Sequence, residues 1–515
     1  MSDFNVTYYR KNRCKLDVSS PYFDVIREEF SYEDKTARFS SNENTPKRKY
    51  SIAKNSGYCD IGLLWSIIHF IKASNYDVKV RLSDGVKHRL VTPIPYDIVN
   101  VPNTKYTLRD YQLDSIRAAF KVGNGLELVG TGGGKTLIMA TMLETIYRND
   151  PNCKVLIVVP NIGLVNQTFG DFTDYECTFS FSKWSGGNEL DSSTNVTIVN
   201  TGFLQTDKKI YKTDEEGNKV KDAKGKLIVE RKIPKDVTYN ELFETIDILI
   251  YDEVHQFFSD KTPKASKLLQ KFEYTHRFGF TGSLPKGGYE QDKIMGYFGA
   301  PIYTKSSKSL RDEEYLSNVI VKMIKFEHID PYRIYNMCVN TDATEDYFLE
   351  VDHVIDSEFR NNAIKRIASR LDGNCLILVE RIRQGEVLKE ILEDCEGKRV
   401  FFISGETPVP ERLEIMKDME ASDDVICIAM SRIFAVGVSI NNLPYLIFAY
   451  LGKAWVKVIQ AVGRGLRLHE RKEKLYIFDM YDNLLYSGDH AIERKEIYDN
   501  QEIEYTEHKI NEQSS

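Results

Sequence analysis

A glycine-rich segment between an apolar run and a helical pattern most constrains the fold of this chain. The run Leu126–Val129 is followed by residues 130–136, GTGGGKT, and an apolar helical pattern begins at Leu137. Glycines let several backbone N–H groups converge on one anion, and a helix N-terminus adds further donors. Lys135 would neutralise phosphate charge, and the Thr136 hydroxyl would bind a divalent cation. The segment therefore predicts a polyphosphate site, with a flexible strand–helix turn as the alternative.

A second constraint is an acidic pair at the end of an apolar run. Ile248–Tyr251 is followed by Asp252 and Glu253, and α/β proteins bind ligands at the carboxyl ends of their strands. Phosphoryl transfer to water needs one carboxylate for the metal and another group that orients the attacking water. Asp252 suits the first task and Glu253 the second. An isolated pair of this kind is more often a solvated helix start, but downstream of a phosphate loop it indicates a nucleotide hydrolase.

The third constraint is the segment 460–467, QAVGRGLR, near the end of the chain. Arg464 and Arg467 are three residues apart, so on a helix they share one face. A guanidinium can stabilise the charge that develops on a γ-phosphate. An isolated pair of arginines is more often part of a basic surface helix. After the two earlier segments, this pair predicts the completion of a nucleotide site.

The rest of the chain has the strand–helix alternation of parallel α/β sheets. The predicted strands of this type are Val155–Val159, Val196–Val199, Ile246–Tyr251, Val319–Phe326, Cys375–Val379, Arg399–Ile403, Val425–Ala429, Tyr445–Ala449 and Leu475–Phe478. They indicate two parallel-sheet lobes in tandem. Residues 1–105 have a different pattern, typical of a small α+β module.

We therefore expect an α/β protein with four regions. They are a small α+β module (1–105), a first lobe that carries the polyphosphate site (106–305), a second lobe (306–480) and an acidic C-terminal tail (481–515) that is solvated and partly disordered. Residues 207–236 contain two turn signals between β-capable runs and predict a basic hairpin within the first lobe, with a mobile surface loop as the alternative.

Charge and cysteine content limit the possible classes of protein. The net charge is -7, which argues against a wholly cationic nucleic-acid coat, yet residues 1–105 contain 17 Lys and Arg against 12 Asp and Glu, a local excess of +5. The eight cysteines are scattered without the spacing of a zinc site, as in reduced cytosolic proteins. No run is long and apolar enough for a signal peptide or a membrane span. We expect a cytoplasmic protein.

The order of these segments resembles the motif series of superfamily 2 helicases, in particular the UvsW-type recombination and repair helicases of phages. The resemblance implies that both lobes are RecA-like. It spans about residues 105–480 and rests on 108–112 (LRDYQ), 130–136, 159–160 (VP), 252–255 (DEVH), 281–283 (TGS), 404–405 (SG), 437–439 (GVS) and 460–467.

Carried over by position, the resemblance implies ATP and Mg²⁺ as cofactors. The residues implied in catalysis are Lys135, Asp252, Glu253, Gln460, Arg464 and Arg467, and those implied in metal binding are Thr136 and Asp252. The residues implied in nucleotide binding are Arg109, Tyr111, Gln112, Thr131, Gly132, Gly133, Gly134, Lys135, Thr136 and Gly437.

The same resemblance implies a coupling segment and contacts with DNA. The residues implied in coupling hydrolysis to movement are His255, Thr281, Gly282 and Ser283. Those implied near the nucleic-acid backbone are Pro160, Thr201, Arg381, Ser404, Gly405 and Ser431. The activity implied is ATP-driven remodelling of branched or duplex DNA, by branch migration or by unwinding forks and R-loops, in a bacterial host.

The basic first region, residues 1–105, is expected to bind DNA, because its excess of cations suggests further contacts with phosphates. Its cations include Lys47, Arg48, Lys49, Lys79, Arg81, Lys87 and Arg89, with Tyr50 and Tyr76 as candidate stacking rings. A solvated charged face is the alternative.

Three other functions remain open at this point. A DNA translocase that does not separate strands would use the same residues. An ATP-switched nucleic-acid clamp would not need Glu253, Arg464 and Arg467. An RNA helicase is less favoured, because no feature of the sequence indicates recognition of a 2′-hydroxyl.

Overall fold

The structure, a computed structural model, describes most of the chain. The described residues are 2–34, 47–185, 188, 190–213, 220, 228–233, 235–258, 263–285, 287–331, 343–431, 440, 442–449, 474–500 and 502–512. The chain divides into two compact units, of which the first comprises residues 1–130 and 134–306 and the second comprises residues 131–133 and 307–515. Within the described ranges, no helix has both the length and the apolarity needed to cross a membrane.

The first unit begins with an N-terminal module built on a four-stranded sheet. The strands and helices of this module are β1 (Ser2–Arg10), β2 (Arg13–Leu16), α1 (Phe23–Glu29), β3 (Ser31–Glu33), β4 (Arg48–Tyr50), β5 (Tyr58–Asp60), α2 (Leu64–Ala73), β6 (Val78–Leu82) and α3 (Asp84–Leu90). The sheet order is β5-β2-β1-β6, and β3 pairs with β4 separately. Phe4, Val6, Cys14 and Leu16 alternate with exposed residues and are buried in the core of the module, as expected for a sheet covered on one face.

The first lobe follows and carries a seven-stranded sheet in the order β15-β7-β14-β13-β8-β10-β9. Its strands are β7 (Asn124–Val129), β8 (Val155–Val159), β9 (Phe181–Trp184), β10 (Val196–Asn200), β13 (Ile248–Asp252), β14 (His276–Thr281) and β15 (Pro301–Lys305). All neighbouring strands are parallel. Between β10 and β13, β11 (Lys208–Tyr211) and β12 (Val229–Ile233) pair antiparallel.

Helices connect the strands of this lobe. They are α4 (Asp110–Val122), α5 (Lys135–Asn149), α6 (Ile162–Asp174), α7 (Thr201–Leu204), α8 (Lys235–Thr238), α9 (Asn240–Thr245), α10 (Pro263–Leu269) and α11 (Gly288–Phe298). Every residue of β8 is buried, because a parallel strand is covered on both faces and therefore consists of a continuous apolar run.

The N-terminal module packs directly on α11 of the first lobe. Asn12 Nδ2 donates hydrogen bonds of 2.9 Å to the carbonyls of Gly296 and Tyr297. Ser51 Oγ donates to the Asp292 carboxylate at 2.9 Å. Gly62 approaches the same helix so closely that a Cβ there would lie 2.2 Å from the Met295 carbonyl oxygen. The module and the first lobe thus share a specific, close-packed interface.

The second unit contains another seven-stranded parallel sheet, in the order β18-β19-β17-β20-β21-β16-β22. Its strands are β16 (Asn318–Glu327), β17 (Cys375–Val379), β18 (Arg399–Ile403), β19 (Val425–Met430), β20 (Tyr445–Phe448), β21 (Lys474–Asp482) and β22 (Tyr505–Asn511). Its helices are α12 (Ser307–Asp312), α13 (Ala343–Asp356), α14 (Glu358–Ala368), α15 (Ile382–Leu392), α16 (Val409–Ala421) and α17 (Leu485–Asn500). The predicted fold class, two parallel-sheet lobes with a small α+β module, is confirmed.

The prediction of a solvated, partly disordered tail after residue 480 is wrong for the described residues. Residues Leu485–Asn500 form α17, and β22 pairs with β16 as an outer strand of the second sheet. Arg494 of α17 is 2% exposed and its guanidinium lies 2.8 Å from the Asp479 carboxylate of β21. The acidic composition of this region is compatible with order because its charges have partners elsewhere in the lobe.

Glu127 is a buried carboxyl in the mostly apolar β7. One oxygen accepts a hydrogen bond from Ser115 of α4, and the other has no partner among the described residues. Burial raises the pKa of Glu127 to about 8 from its ordinary 4.5, because the charged form loses more hydration than the neutral form.

Glu127 is therefore expected to reduce stability as the pH rises from about 5 to about 8. In this window the folded chain keeps a proton that the unfolded chain has released, so the free energy of unfolding falls with rising pH, by a few kcal/mol in total. Glu127→Gln removes the titration and should gain stability relative to the wild type across the window. Thermal unfolding at both ends of the window measures this gain. The exposed Glu244→Gln is the control, and a pH-independent effect of Glu127→Gln would contradict the argument.

Candidate active site

The phosphate loop joins β7 to α5. Gly132 and Gly134 have left-handed φ angles of 82° and 76°, which side chains rarely adopt. A Cβ at Gly134 would also lie 2.4 Å from Gln112 Nε2. Glycine at this position therefore allows the loop to pass close to α4 and to lead directly into the first turn of α5, which begins at Lys135.

The residues predicted to contact the nucleotide base lie at the start of α4. Gln112 is 4% exposed, and its Oε1 accepts a hydrogen bond of 2.9 Å from the backbone N–H of Arg109. The Lys305 ammonium lies 5.7 Å from the centre of the Tyr111 ring. Gln112 thus connects this segment to the phosphate loop through its contact with Gly134.

The acidic pair lies at the carboxyl end of β13. Asp252 is its last residue and is 8% exposed. Glu253 has a left-handed φ of 53°, and its backbone N–H donates to Asp252 Oδ1 at 3.0 Å. Lys135 Nζ lies 3.8 Å from Glu253 Oε1. The structure thus brings the predicted lysine and the predicted catalytic carboxylate together.

A series of contacts continues from Glu253 to the segment after β14. Glu253 Oε2 lies 3.3 Å from His255 Nδ1, which lies 2.9 Å from Thr281 Oγ1. The Thr281 hydroxyl donates to the Ser283 carbonyl at 2.9 Å, so it accepts from His255, whose Nδ1 carries the proton. Because β14 lies between β7 and β13, Thr281 and the following Gly282 stand between the phosphate loop and the acidic pair.

The donor atoms of Thr136 and Asp252 fit the predicted metal. A hydroxyl and a carboxylate are hard oxygen ligands, which Mg²⁺ prefers and usually supplements with water and phosphate oxygens. Thr136 belongs to the first turn of α5, which follows β7, and Asp252 ends β13, which is separated from β7 by β14 in the same parallel sheet.

Two predicted nucleic-acid contacts of the first lobe follow adjacent strands. Pro160 follows β8, and Thr201 follows β10, which pairs with β8. The Thr201 hydroxyl donates to the Pro160 carbonyl at 2.9 Å. Next to them, Asn161 Oδ1 accepts from the Leu164 backbone N–H at 3.0 Å and caps α6. This capping residue was missed, although an asparagine before a helical pattern is a recognisable N-terminal signal.

The predicted contacts of the second lobe also share one edge of their sheet. Arg381, Ser404 with Gly405, and Ser431 follow β17, β18 and β19, which are neighbours. The Arg381 guanidinium lies 5.3 Å from the centre of the Phe348 ring. Ser404 Oγ accepts from the Glu406 backbone N–H at 3.2 Å, so this serine also caps the turn after β18.

Four predicted site residues lie outside the described residues. They are Gly437, Gln460, Arg464 and Arg467.

Comparison with known families adds a second line of information. Residues 105–286 match the family model described as "Type III restriction enzyme, res subunit", and residues 351–469 match "Helicase conserved C-terminal domain". Together with two tandem parallel-sheet lobes, these matches decide the family. The chain is a superfamily 2 helicase.

This superfamily 2 helicase is similar to two viral proteins. It is 22% identical over 498 residues to "ATP-dependent DNA helicase uvsW" of Enterobacteria phage T4, with 93% of this chain and 91% of the relative covered. It is 24% identical over 447 residues to "Putative helicase 22" of Sulfolobus islandicus filamentous virus, covering 84% and 71%. The fold is similar to that of the DNA-bound restriction-modification enzyme LlaBIII, with a TM-score of 0.54 at 14% identity, covering 87% of this chain and 34% of the other.

Proposed function

We propose that this helicase hydrolyses ATP to move along DNA and to remodel branched DNA, as in branch migration or the unwinding of forks and R-loops. The observation that carries the proposal is the continuous series of contacts from Lys135 through Glu253 and His255 to Thr281. It links a phosphate-binding group, a catalytic carboxylate and the segment that leads to α11.

The residues of the first lobe would act on the nucleotide as follows. The N–H groups of the glycine loop and Lys135 would bind the phosphates, since both offer donors to an anion at the start of α5. Glu253 would orient the attacking water and accept its proton. A magnesium ion bound by Thr136 and Asp252 would supply positive charge that screens the phosphates. Gln460, Arg464 and Arg467 are proposed to complete the site.

The Lys135–Glu253 pair suggests how the binding of ATP would affect the segment after β14. A polyphosphate carries more negative charge than a carboxylate, so it would displace Glu253 as the main partner of Lys135. Glu253 would keep its contact with His255, which in turn contacts Thr281. The series of contacts ends at Thr281, in the segment that leads to α11, the helix on which the N-terminal module packs.

DNA is proposed as the track on two grounds. UvsW of phage T4 is named as a DNA helicase, and LlaBIII has been seen bound to DNA. In this chain, Pro160 and Thr201 form a continuous edge of the first sheet beyond the acidic pair, where the N-terminus of α6 offers backbone donors to phosphates. Arg381, Ser404, Gly405 and Ser431 are proposed for the same task in the second lobe.

The test is the ATPase rate with single-stranded, duplex, forked and four-way DNA compared side by side, together with an assay of strand separation. We expect stimulation by DNA, strongest with branched substrates, and ATP-dependent separation of strands. An ATPase that no DNA stimulates would reject the proposal.

A second candidate is translocation along duplex DNA without strand separation. It is favoured by the match of the first lobe to the res subunit of type III restriction enzymes. Displacement of a triplex-forming strand without separation of the duplex would select this candidate over the first.

A further inference from the structure

The four-stranded sheet of the N-terminal module has one face directed to solvent. Along β1, Phe4 and Val6 are buried, whereas Asn5, Thr7 and Tyr9 are exposed. The other strands alternate in the same way, so the exposed side chains of β2 and β6 lie on the same face as Tyr9. The apolar face is covered by the helices of the module, and none of the helices described for the module covers the outward face.

Two tyrosines and two arginines are stacked on this outward face. Tyr9 of β1 is 41% exposed, and its ring centre lies 4.3 Å from that of Tyr58 on the edge strand β5, with 33° between the rings. The Arg10 guanidinium lies 5.1 Å from the centre of the Tyr9 ring, and that of Arg13 lies 5.7 Å from the Tyr58 ring. The core of the module does not use these rings, because it is filled by apolar side chains on the opposite face.

The charge on this face is positive and largely uncompensated. Among the described residues, Arg10, Arg13 and Lys15 form no ion pair. The carboxylates beside the face are engaged elsewhere: Asp3 with Arg81 at 2.8 Å, Asp17 with Ser19 at 2.6 Å and Asp60 with Lys293 of α11 at 3.6 Å.

Of the seven cations that the sequence suggested for phosphate binding, four have a carboxylate partner: Arg81, described above, and three others. Lys49 pairs with Asp34, Lys87 with Asp84, and Arg89 with Glu273. They therefore offer less net charge to a phosphate backbone than the outward face does.

Tyr50 and Tyr76, which the sequence suggested as stacking rings, are both half-buried and contact neighbouring side chains. The Tyr76 ring packs against Tyr22 at 5.1 Å and Phe70 at 6.1 Å between centres. The Arg27 guanidinium lies 3.5 Å from the centre of the Tyr50 ring and covers it. On the outward face of the sheet, by comparison, Tyr9 is exposed and Tyr58 is half-buried.

We propose that the Tyr9–Tyr58 face, formed by Tyr9, Arg10, Arg13, Lys15 and Tyr58, binds single-stranded DNA. The inference rests on the proposed function in taking DNA as the ligand. Exposed rings flanked by cations on a sheet bind unpaired bases by stacking and their phosphates by charge. Paired bases in a duplex keep their faces covered, and reading them requires a helix or ribbon that enters a groove. A flat sheet about 14 Å across its four strands suits a strand with unpaired bases.

The position of the face gives it a use in the motor. The module packs on α11 of the first lobe through Asn12, Ser51 and Gly62. A DNA strand bound on the face would therefore be attached to the first lobe through the module. Such a grip would keep one arm of a branched substrate near the motor while the other strand moves.

The first test replaces the two rings. Binding of a fluorescent thymidine 20-mer to the full chain without nucleotide is measured by anisotropy for the wild type and for Tyr9→Ala/Tyr58→Ala. We expect about 10-fold weaker binding by the double variant. Tyr9→Phe/Tyr58→Phe keeps the rings and should bind within about twofold of the wild type. Circular dichroism checks that both variants fold.

The second test separates charge from stacking. Arg13→Gln/Lys15→Gln should weaken binding and lower the slope of log affinity against log salt by about 1.4, or about 0.7 for each lost phosphate contact. The alanine variants of the tyrosines should keep the wild-type slope. Lys72→Gln, at an exposed lysine of α2 in the same module, is the matched control and should leave the slope unchanged.

A direct readout does not depend on any variant. Photocrosslinking with a 5-iodouracil-substituted oligonucleotide should place adducts at Tyr9 or Tyr58. Crosslinks confined to other residues, together with unchanged affinity of the alanine variants, would overturn the inference. Stimulation of the wild-type ATPase by DNA tests the proposed function separately. If DNA stimulates the ATPase but does not bind the Tyr9–Tyr58 face, only the inference about the face is rejected.

Discussion

Lys135→Ala is expected to lower the rate of ATP hydrolysis about 100-fold or more, because a cation aimed at developing phosphate charge is lost. Lys135 is the first residue of α5, and its ammonium lies 3.8 Å from Glu253 at the edge where the phosphates would bind. The backbone donors of the glycine loop stay in place, so some nucleotide binding should remain. Phosphate release at saturating DNA measures the loss.

DNA binding by Lys135→Ala without nucleotide should be close to that of the wild type, since Lys135 is not among the proposed DNA contacts. Lys121→Ala is the matched control: it removes an exposed lysine from the last turn of α4 in the same lobe and should leave hydrolysis unchanged. Full DNA-stimulated ATPase activity in Lys135→Ala would defeat the assignment of the phosphate loop.

The parallel strands were predictable because burial on both faces leaves a simple signature. Val155–Val159 and Cys375–Val379 are predicted with the bounds that the structure has, since a continuous apolar run bounded by polar residues has few other uses. The candidate site follows from the same logic. A glycine loop and an acidic pair placed directly after such runs lie at the carboxyl edge of the sheet, whatever the strand order.

Contacts between segments that are distant in the sequence were not predictable. Local patterns do not indicate that Glu253 lies between Lys135 and His255, because this depends on β13, β14 and β7 being neighbours. The acidic C-terminal region was misjudged for the same reason. Composition shows how many charges a segment has but not which of them are paired. Asp482, for example, is fully buried 3.1 Å from Arg360, which is equally buried and lies far away in the sequence.

The stacking rings of the N-terminal module show the same limit. Nothing in the local sequence separates Tyr9 and Tyr58 from Tyr50 and Tyr76 as candidate stacking rings. Only the register of β1, β2 and β5 determines that the first two face solvent while Tyr76 joins the packing of α1 and α2. Without knowing which strands pair and in which register, one cannot tell from the sequence which tyrosines lie on the outward face of the sheet.

Glu253→Gln is expected to slow hydrolysis about 100-fold or more while keeping or tightening ATP binding. Glutamine has the shape of glutamate and can still occupy the left-handed backbone conformation of this residue, but it cannot accept the proton of the attacking water. It also removes a negative charge 3.8 Å from Lys135, so the lysine loses a competitor for the phosphates. Single-turnover hydrolysis and equilibrium binding of a fluorescent ATP analogue measure the two effects.

The combination of slow hydrolysis and undiminished binding distinguishes Glu253 from Lys135, whose loss should weaken both. The exposed Glu244→Gln in the same lobe is the control for a change of charge alone. Hydrolysis by Glu253→Gln within about 10-fold of the wild type would remove Glu253 from the chemistry, because the loss of a general base costs at least 100-fold. If the variant instead accumulates with ATP and DNA bound, then the release of DNA is limited by hydrolysis and not by ATP binding. A motor that couples Glu253 to Thr281 through His255 requires this result.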